Sequence, residues 1–424
     1  MNIFVGAVWY SLSNKEVAQC EEAEQPTIEP GKRNAALPDY RLTEISKHKT
    51  KESGIWVTFN DGVYDITHFI EGHPGGEKIL LASGGQLEPF WEMYAVHKNS
   101  AVFEILEELR IGNIHPSDKA KMTAKKKKKR DDPFAHDPHR HPALKVNSEK
   151  PFNAETPTAL LVDHFLTPNE LFFVRNHLPV PEVTEKDFKL EVACVGKKKT
   201  INLTMEDLKK NFKPYTITST VQCAGNRRSH MAAVKPVKGL NWGPSAISNA
   251  EWTGVRLVDV LERAGIKEEE FSHIIFQGLD KDIENSHYEA SIPIETAMDP
   301  RREVLLAYQM NGKELPVDHG YPLRVVVPGS VGARQVKWVN KITASPVESD
   351  SHWQKKDYKT FTPSTDYNTA DFDKAAPIMD YPIQSGICSP VHGATLEDSE
   401  EVTVKGYAWS GGGRGIIRVE VSII

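Results

Sequence analysis

A chain of 424 residues exceeds what one ordinary hydrophobic core holds, so two or three domains are expected. With 39% hydrophobic and 26% charged residues the composition is that of a globular protein, and the net charge of −6 argues against a general nucleic-acid binder. The cysteines Cys20, Cys194, Cys223 and Cys388 are too scattered for a disulfide framework and form no CxxC pair, and no run approaches the about 18 apolar residues of a membrane span.

Residues 1–39 read as a leader or disordered segment. Ile3 to Leu12 is apolar but no basic residue precedes it, Glu21, Glu22 and Glu24 follow, and the first arginine is Arg33, so neither a secretory nor a transit signal is legible. A first domain is expected over residues 40–114. Ile55 to Phe59 alternates, Asn60-Asp61-Gly62 follows, and Val63 to Ile66 completes a hairpin. Next come His73-Pro74-Gly75-Gly76, a helical run from Glu77 to Ala82, a second histidine at His97 and a closing helix from Val102 to Leu109. Two histidines on separate loop-helix units, set among aromatic and aliphatic residues, suit a six-coordinate haem iron with one imidazole on each side.

Residues 115–151 form a linker. Six consecutive basic residues, Lys125 to Arg130, cannot bury themselves and are expected to be solvated and extended. They serve as a flexible tether, as a localisation signal, or as an aid to docking an electron carrier on an acidic surface. His136, His139 and His141 lie in a Pro- and Asp-rich stretch that reads as loop, not as a metal site.

Residues 152–346 form a larger mixed α+β domain. Leu171 to Val174 runs into an Arg175-Asn176-His177 turn. Leu190 to Val195 and Lys199 to Leu203 read as paired strands. Thr204 to Lys210 reads as a helix capped by Thr204, with Glu206 and Asp207 at its positive end. Val255 to Ala264 is an amphipathic helix, and Ile274 to Gly278 is a strand reaching Asp280. The strand Ile217 to Val221 delivers Gln222-Cys223-Ala224-Gly225-Asn226-Arg227-Arg228-Ser229-His230, a thiol beside two guanidinium groups. Such surroundings favour the thiolate, which ligates soft metals, and arginines hold small oxyanions; a buried structural cysteine beside surface arginines fits the segment equally well. Turns rich in Arg, His, Lys and Gly suit a large anionic cofactor, yet neither GxGxxG nor a P-loop is present.

Residues 347–424 begin as an irregular run and turn to β structure from Ala376, with strands expected at Gly386 to Val391, Val402 to Trp409 and Ile416 to Val421. Gly411-Gly412-Gly413 is a turn, since no Lys-Ser/Thr or helix follows it.

The His-Pro-Gly-Gly motif, the histidine spacing and the closing helix resemble the cytochrome b5 domain, which implies His73 and His97 as axial ligands of haem b and one-electron transfer. The motifs VRNHLPVP, QCAGNRRSH, HGYPLRVVVPG and KGYAWSGGG resemble the molybdopterin-dependent sulfite oxidase family, whose animal form carries a cytochrome b5 module in front. The resemblance implies an α+β molybdopterin domain behind the small haem domain and, at the C-terminus, an immunoglobulin-like β-sandwich for dimerisation. It implies Cys223 as the molybdenum ligand. It places Arg175, Arg228, Trp242 and Tyr358 in the substrate pocket. Phe173, Val174, Arg175, Asn176, His177, Asp280, His319, Arg324, Gln335, Val336 and Lys337 are placed around the pterin, and Gln335 departs from the histidine of the family pattern.

Sulfite would be the substrate, cytochrome c or oxygen the acceptor, and the mitochondrial intermembrane space the location. Such a sandwich takes about 100 residues, whereas Ala376 to Ile424 supplies 49, so an incomplete domain with an exposed edge, impaired dimerisation and a missing pocket arginine is expected. Two other readings stand beside this one. A nitrate reductase-like molybdoenzyme uses similar modules but in the opposite order and with a flavin domain; a catalytically silent haem-binding protein would follow from the missing C-terminus.

Overall fold

The computed structural model describes residues 8–10, 29–73, 79–80, 82–93, 97, 99–119, 132–197, 200–366, 368–391 and 401–422. Most of the leader, the Lys125 to Arg130 run and the Pro74-Gly75-Gly76 turn lie outside these residues. The chain divides into two compact units: one of Lys15–Ala135 with Ser148–Pro151, the other of Met1–Asn14, His136–Asn147 and Phe152–Ile424. No described helix is long and apolar enough to cross a membrane.

The smaller unit is built on a five-stranded sheet in the order Asp39–Tyr40, Arg110–Ile114, Gly62–Asp65, Gly54–Phe59, Lys49–Thr50. Its central hairpin pairs Phe59 with Gly62 across a two-residue turn in which Asn60 takes a φ of 53°, the left-handed backbone that short hairpins select. Ile55 and Val57 turn one face of the Gly54–Phe59 strand into the core, where they meet Ile66, Ile70, Leu87, Trp91 and Leu106. The closing helix spans Ser100–Glu108, two residues earlier than the apolar pattern suggests, because the Asn99 side chain caps it by accepting from the Val102 amide at 3.1 Å. Within the Glu77 to Ala82 run, Ile79 and Leu80 pack against the core and Ala82 is buried.

The larger unit is mixed α+β. One five-stranded sheet runs Ile201–Leu203, Leu190–Cys194, Val339–Ser345, His273–Lys281, His287–Pro293. A second pairs Pro214–Gln222, Ile247–Arg256, Leu305–Met310 and Lys313–Glu314, with Arg324–Val326 also on Leu305–Met310. The second sheet bulges at Thr253/Gly254, and there the chains come so close that a Cβ on Gly254 would sit 2.0 Å from the Leu306 carbonyl oxygen. Thr204 caps the helix Met205–Asn211 through a full capping box with Asp207.

Two expectations are corrected. The amphipathic helix starts at Leu257, since Val255 and Arg256 are claimed by strand pairing with Leu306 and Leu305. Ile416 to Val421 forms no strand: among the described residues nothing pairs with it, and Ile417 is fully exposed. Of the C-terminal β structure, Gln384–Ser389 pairs with Val402–Trp409, and Val8–Tyr10 runs along the other side of Val402–Trp409. Tyr381, Cys388, Tyr407 and Trp409 bury themselves in one cluster beneath it.

Candidate active site

Strand pairing between Pro214–Gln222 and Ile247–Arg256 ends at Gln222 opposite Ile247, and the Cys223 amide still donates to the Ala246 carbonyl at 2.9 Å. Beyond that the chain turns sharply: the Asn226 amide returns to the Cys223 carbonyl at 3.0 Å, Arg227 takes a φ of 63°, and a short helix runs Arg228–Ala232. The turn leaves the buried Cys223 thiol accepting from the Gly225 amide at 3.4 Å and facing a cavity.

Elements far apart in the chain converge on that cavity. Of the residues singled out from the sequence, Phe173, Arg175, His177, Cys223, Asp280, His319, Arg324, Gln335, Val336, Lys337 and Tyr358 line it. Arg175 donates to Asn153 at 3.1 Å and to the Tyr358 hydroxyl at 3.3 Å. Burial works against its charge, but Tyr358 and Cys223 beside it outweigh that and raise its pKa. Tyr358 carries a φ of 53°, and its hydroxyl also meets His177 Nε2. Burial, then Arg175 and Lys337, push the His177 imidazole well below its ordinary pKa, so it stays neutral.

The remaining wall is charged and short of partners. Burial lowers Arg324 to about 9 and Lys337 to about 7, and raises the Asp280 carboxyl to about 7. Arg324 Nε and Asp280 Oδ1 are buried with no hydrogen-bond partner among the described residues. Unpaired buried donors, acceptors and cations in one cavity call for a hydrogen-bonding anion, and a phosphate-bearing pterin is one. The donor set therefore fits the cofactor that the sequence motifs imply. Gln335 is bound to the backbone at both ends of its amide, to Ser330 at 2.9 Å and from the Val327 amide at 3.4 Å.

Four singled-out residues stand outside the lining. Val174 lies in a small core with Leu144, Phe152 and Ala154. Asn176 is buried behind the wall, its amide donating to Asp318 at 2.9 Å and its oxygen meeting the Lys337 ammonium. Trp242 packs in the core beneath Cys223. Arg228 donates to the Leu240 carbonyl at 2.8 Å and lies against Gly225 and Gly239.

In the smaller unit the His73 and His97 rings lie 6.1 Å apart, parallel to within 13°. A metal–imidazole bond is about 2 Å long, so the gap accommodates one metal ion between the rings, and Phe69 and Trp91 provide aromatic walls. These residues fit a haem held from both faces.

Comparison with known proteins matches domain families in both units. A cytochrome b5-like heme/steroid binding domain matches residues 41–115, an oxidoreductase molybdopterin binding domain residues 177–353, and a Mo-co oxidoreductase dimerisation domain residues 375–423. Mitochondrial sulfite oxidase of Homo sapiens is 54% identical over 386 residues, covering 91% of this chain and 70% of that one. This chain belongs to the sulfite oxidase family. Sulfite oxidase of Gallus gallus is 51% identical over 92% of this chain and 84% of its own. The sulfane dehydrogenase of Paracoccus pantotrophus superposes with a TM-score of 0.52 at 28% identity, covering 66% of each chain. As a member of the sulfite oxidase family the protein is a molybdenum-dependent oxidoreductase whose cofactors are molybdopterin and haem b.

The structure adds residues that pattern reading passed over. Arg334, fully buried inside the Gly332 to Lys337 motif, holds the Ile378, Trp353 and Tyr358 carbonyls and the Gln354 amide oxygen, and so sets the loop that carries Tyr358. Asp318 accepts from Arg140 at 2.8 and 3.0 Å and from Asn176, while its carbonyl accepts from Lys337 at 2.7 Å. Arg140 stacks on Phe152 with 4.1 Å from guanidinium carbon to ring centre. Asp318 precedes the noted His319, but nothing in the sequence pairs it with a residue 178 positions away.

Proposed function

We propose that this chain oxidises sulfite to sulfate and delivers the electrons singly, through the haem held by His73 and His97, to cytochrome c. The observation that carries the reading is the Cys223 thiol sharing one cavity with Arg175 and Tyr358. When bound, the molybdenum centre supplies the oxygen that sulfur gains and accepts the electron pair, and the haem carries electrons one at a time. The protein's own part is to bind and orient. The Arg175 guanidinium, kept charged, offers paired N–H donors to a dianion. Burial raises the Tyr358 hydroxyl above its ordinary pKa, so it stays protonated and donates to a substrate oxygen. Neutral His177, in contact with that hydroxyl, orients it without adding a cation that would retain the sulfate product. The apolar walls of Phe173 and Val336 limit water.

Arg228 and Trp242 stand behind the cysteine loop and act on the pocket by holding that loop, not by lining it. Against the expectation of impaired dimerisation, the match of residues 375–423 to a dimerisation domain supports a homodimer through the C-terminal region, and the protein works in the mitochondrion, in the intermembrane space. The decisive experiment is sulfite-dependent reduction of cytochrome c by the full chain beside Cys223→Ser. Activity is expected to vanish in the variant; equal rates in both would end the proposal. Sedimentation of the purified chain tests the dimer.

A further inference from the structure

Arg227 and the C-terminal strands have no part in the chemistry derived above, yet the cysteine loop is tied to that region at successive positions. The Arg227 guanidinium donates to the Ser385 carbonyl at 2.7 Å. The Asn226 amide donates to the Tyr407 hydroxyl at 3.1 Å, and that hydroxyl donates to the Pro244 carbonyl at 2.9 Å. The Tyr381 hydroxyl donates to the Ala224 carbonyl at 3.0 Å and to the Cys223 carbonyl at 3.3 Å. Tyr381 is itself fixed, its amide bonded to Gly329 and its carbonyl accepting from Gly411 at 2.9 Å.

The Tyr381 bond has a geometric consequence. The Ala224 C=O and the Gly225 N–H are opposite ends of one planar peptide group, so holding the oxygen aims the N–H. That N–H is the one directed at the Cys223 Sγ, 3.4 Å away. The loop has little room to compensate: a Cβ on Gly225 would lie 2.6 Å from Trp242 Cδ1 and 2.8 Å from an Arg228 nitrogen. A phenol is protonated at neutral pH, so the Tyr381 hydroxyl has a proton to donate. Hydrogen bonds to a metal-bound sulfur tune the reduction potential of the metal.

We propose that Tyr381 is a positioning residue for the molybdenum thiolate, holding the Ala224–Gly225 peptide so that its N–H bonds Cys223 Sγ, and that the C-terminal region thereby sets the electronics of the metal. The inference rests on the reading of Cys223 as the molybdenum ligand. Tyr381→Phe keeps the ring and removes only the hydroxyl. Amides of a peptide spanning 221–230 should exchange hydrogen about fivefold to tenfold faster, the effect of losing one or two hydrogen bonds. In the loaded enzyme the thiolate-to-molybdenum absorption band should shift and the molybdenum midpoint potential should fall, with haem content unchanged.

Tyr407→Phe removes an equally buried hydroxyl that bonds neither end of the Ala224–Gly225 peptide, and it should leave the band in place. Unchanged band and exchange in Tyr381→Phe, or equal band shifts in the two variants, would overturn the proposal. Cys223→Ser separates the underlying reading: a thiolate band that survives it refutes the ligand assignment, while the exchange result still decides how the loop is held. Should Tyr381→Phe take up no metal, exchange in the metal-free chain decides alone, and parent-like protection overturns the idea.

Discussion

In the haem unit, two imidazoles face one gap from positions 73 and 97, and what surrounds them is mostly apolar and aromatic. In the molybdopterin unit, one contact alone, Arg175 to Tyr358, spans 183 positions, and the cavity wall carries buried cations and the Asp280 carboxyl. The difference is one of charge. Neutral ligands against apolar walls need only short loops and a sheet to carry them. A buried ion is costly unless it is paired, and outside the cavity wall, where Arg324 Nε and Asp280 Oδ1 are left for the cofactor, the partner comes from wherever the fold brings one. Arg140 with Asp318 and Arg334 with the Trp353 to Tyr358 loop are two such pairings.

The contrast can be broken by substitution. The largest effect is expected from His97→Ala, which should abolish haem absorbance while molybdenum content stays at the parent level; a parallel loss of molybdenum would mean that the two sites are not separately held. Next, Arg140→Met leaves Asp318 and Asp137 without their cation at side-chain exposures of only 9% and 11%. It should destabilise the larger unit by about 3–5 kcal/mol in urea unfolding followed by tryptophan fluorescence, with the unfolding midpoint read from the haem unmoved.

Acid should act on the larger unit through His319, which burial holds at about 3 against an ordinary 6.5. A depressed histidine binds its proton in the unfolded chain first, so its contribution is complete above about pH 6.5 and is lost as pH falls towards 3. At pH 5 the loss is about 2 kcal/mol relative to neutral pH. In the cofactor-free chain His319→Gln should flatten the pH dependence by that amount; equal slopes in both proteins would refute the assignment.

The smallest effect sharpens the comparison from the other side. Arg33 in the haem unit contacts both oxygens of Asp39 at 2.7 Å, as short as any contact of Arg140, but the two side chains are 42% and 31% exposed. Arg33→Met should cost about 0.5 kcal/mol, measured by unfolding followed at the haem. A loss comparable to that of Arg140→Met would show that burial is not what separates the two pairs.

Much of this protein is legible in local pattern. The Ile55 to Ile66 hairpin, the capped helix after Thr204 and the strand that ends at Cys223 follow from alternation, turn residues and capping, all of which act over a few positions. The family resemblance also pointed to most of the cavity lining, which local pattern alone does not single out. Helix and strand ends were less legible: Val255 and Arg256 carry an amphipathic helical pattern, yet pairing with Leu306 and Leu305 claims them for a strand.

What the sequence alone determined is which chemistries are present: two histidines for a metal between apolar walls, a thiol near arginines, and the module order. What only the tertiary structure decided is which groups act on which. It set Tyr358 on Arg175, put Arg228 and Trp242 behind the cysteine loop instead of in the cavity lining, and brought Tyr381 to the peptide that faces Cys223 Sγ. Side-chain hydrogen bonds and buried ion pairs depend on separations of a few ångströms. Residues more than a hundred positions apart reach such separations only once the sheets have paired and the core between them has closed.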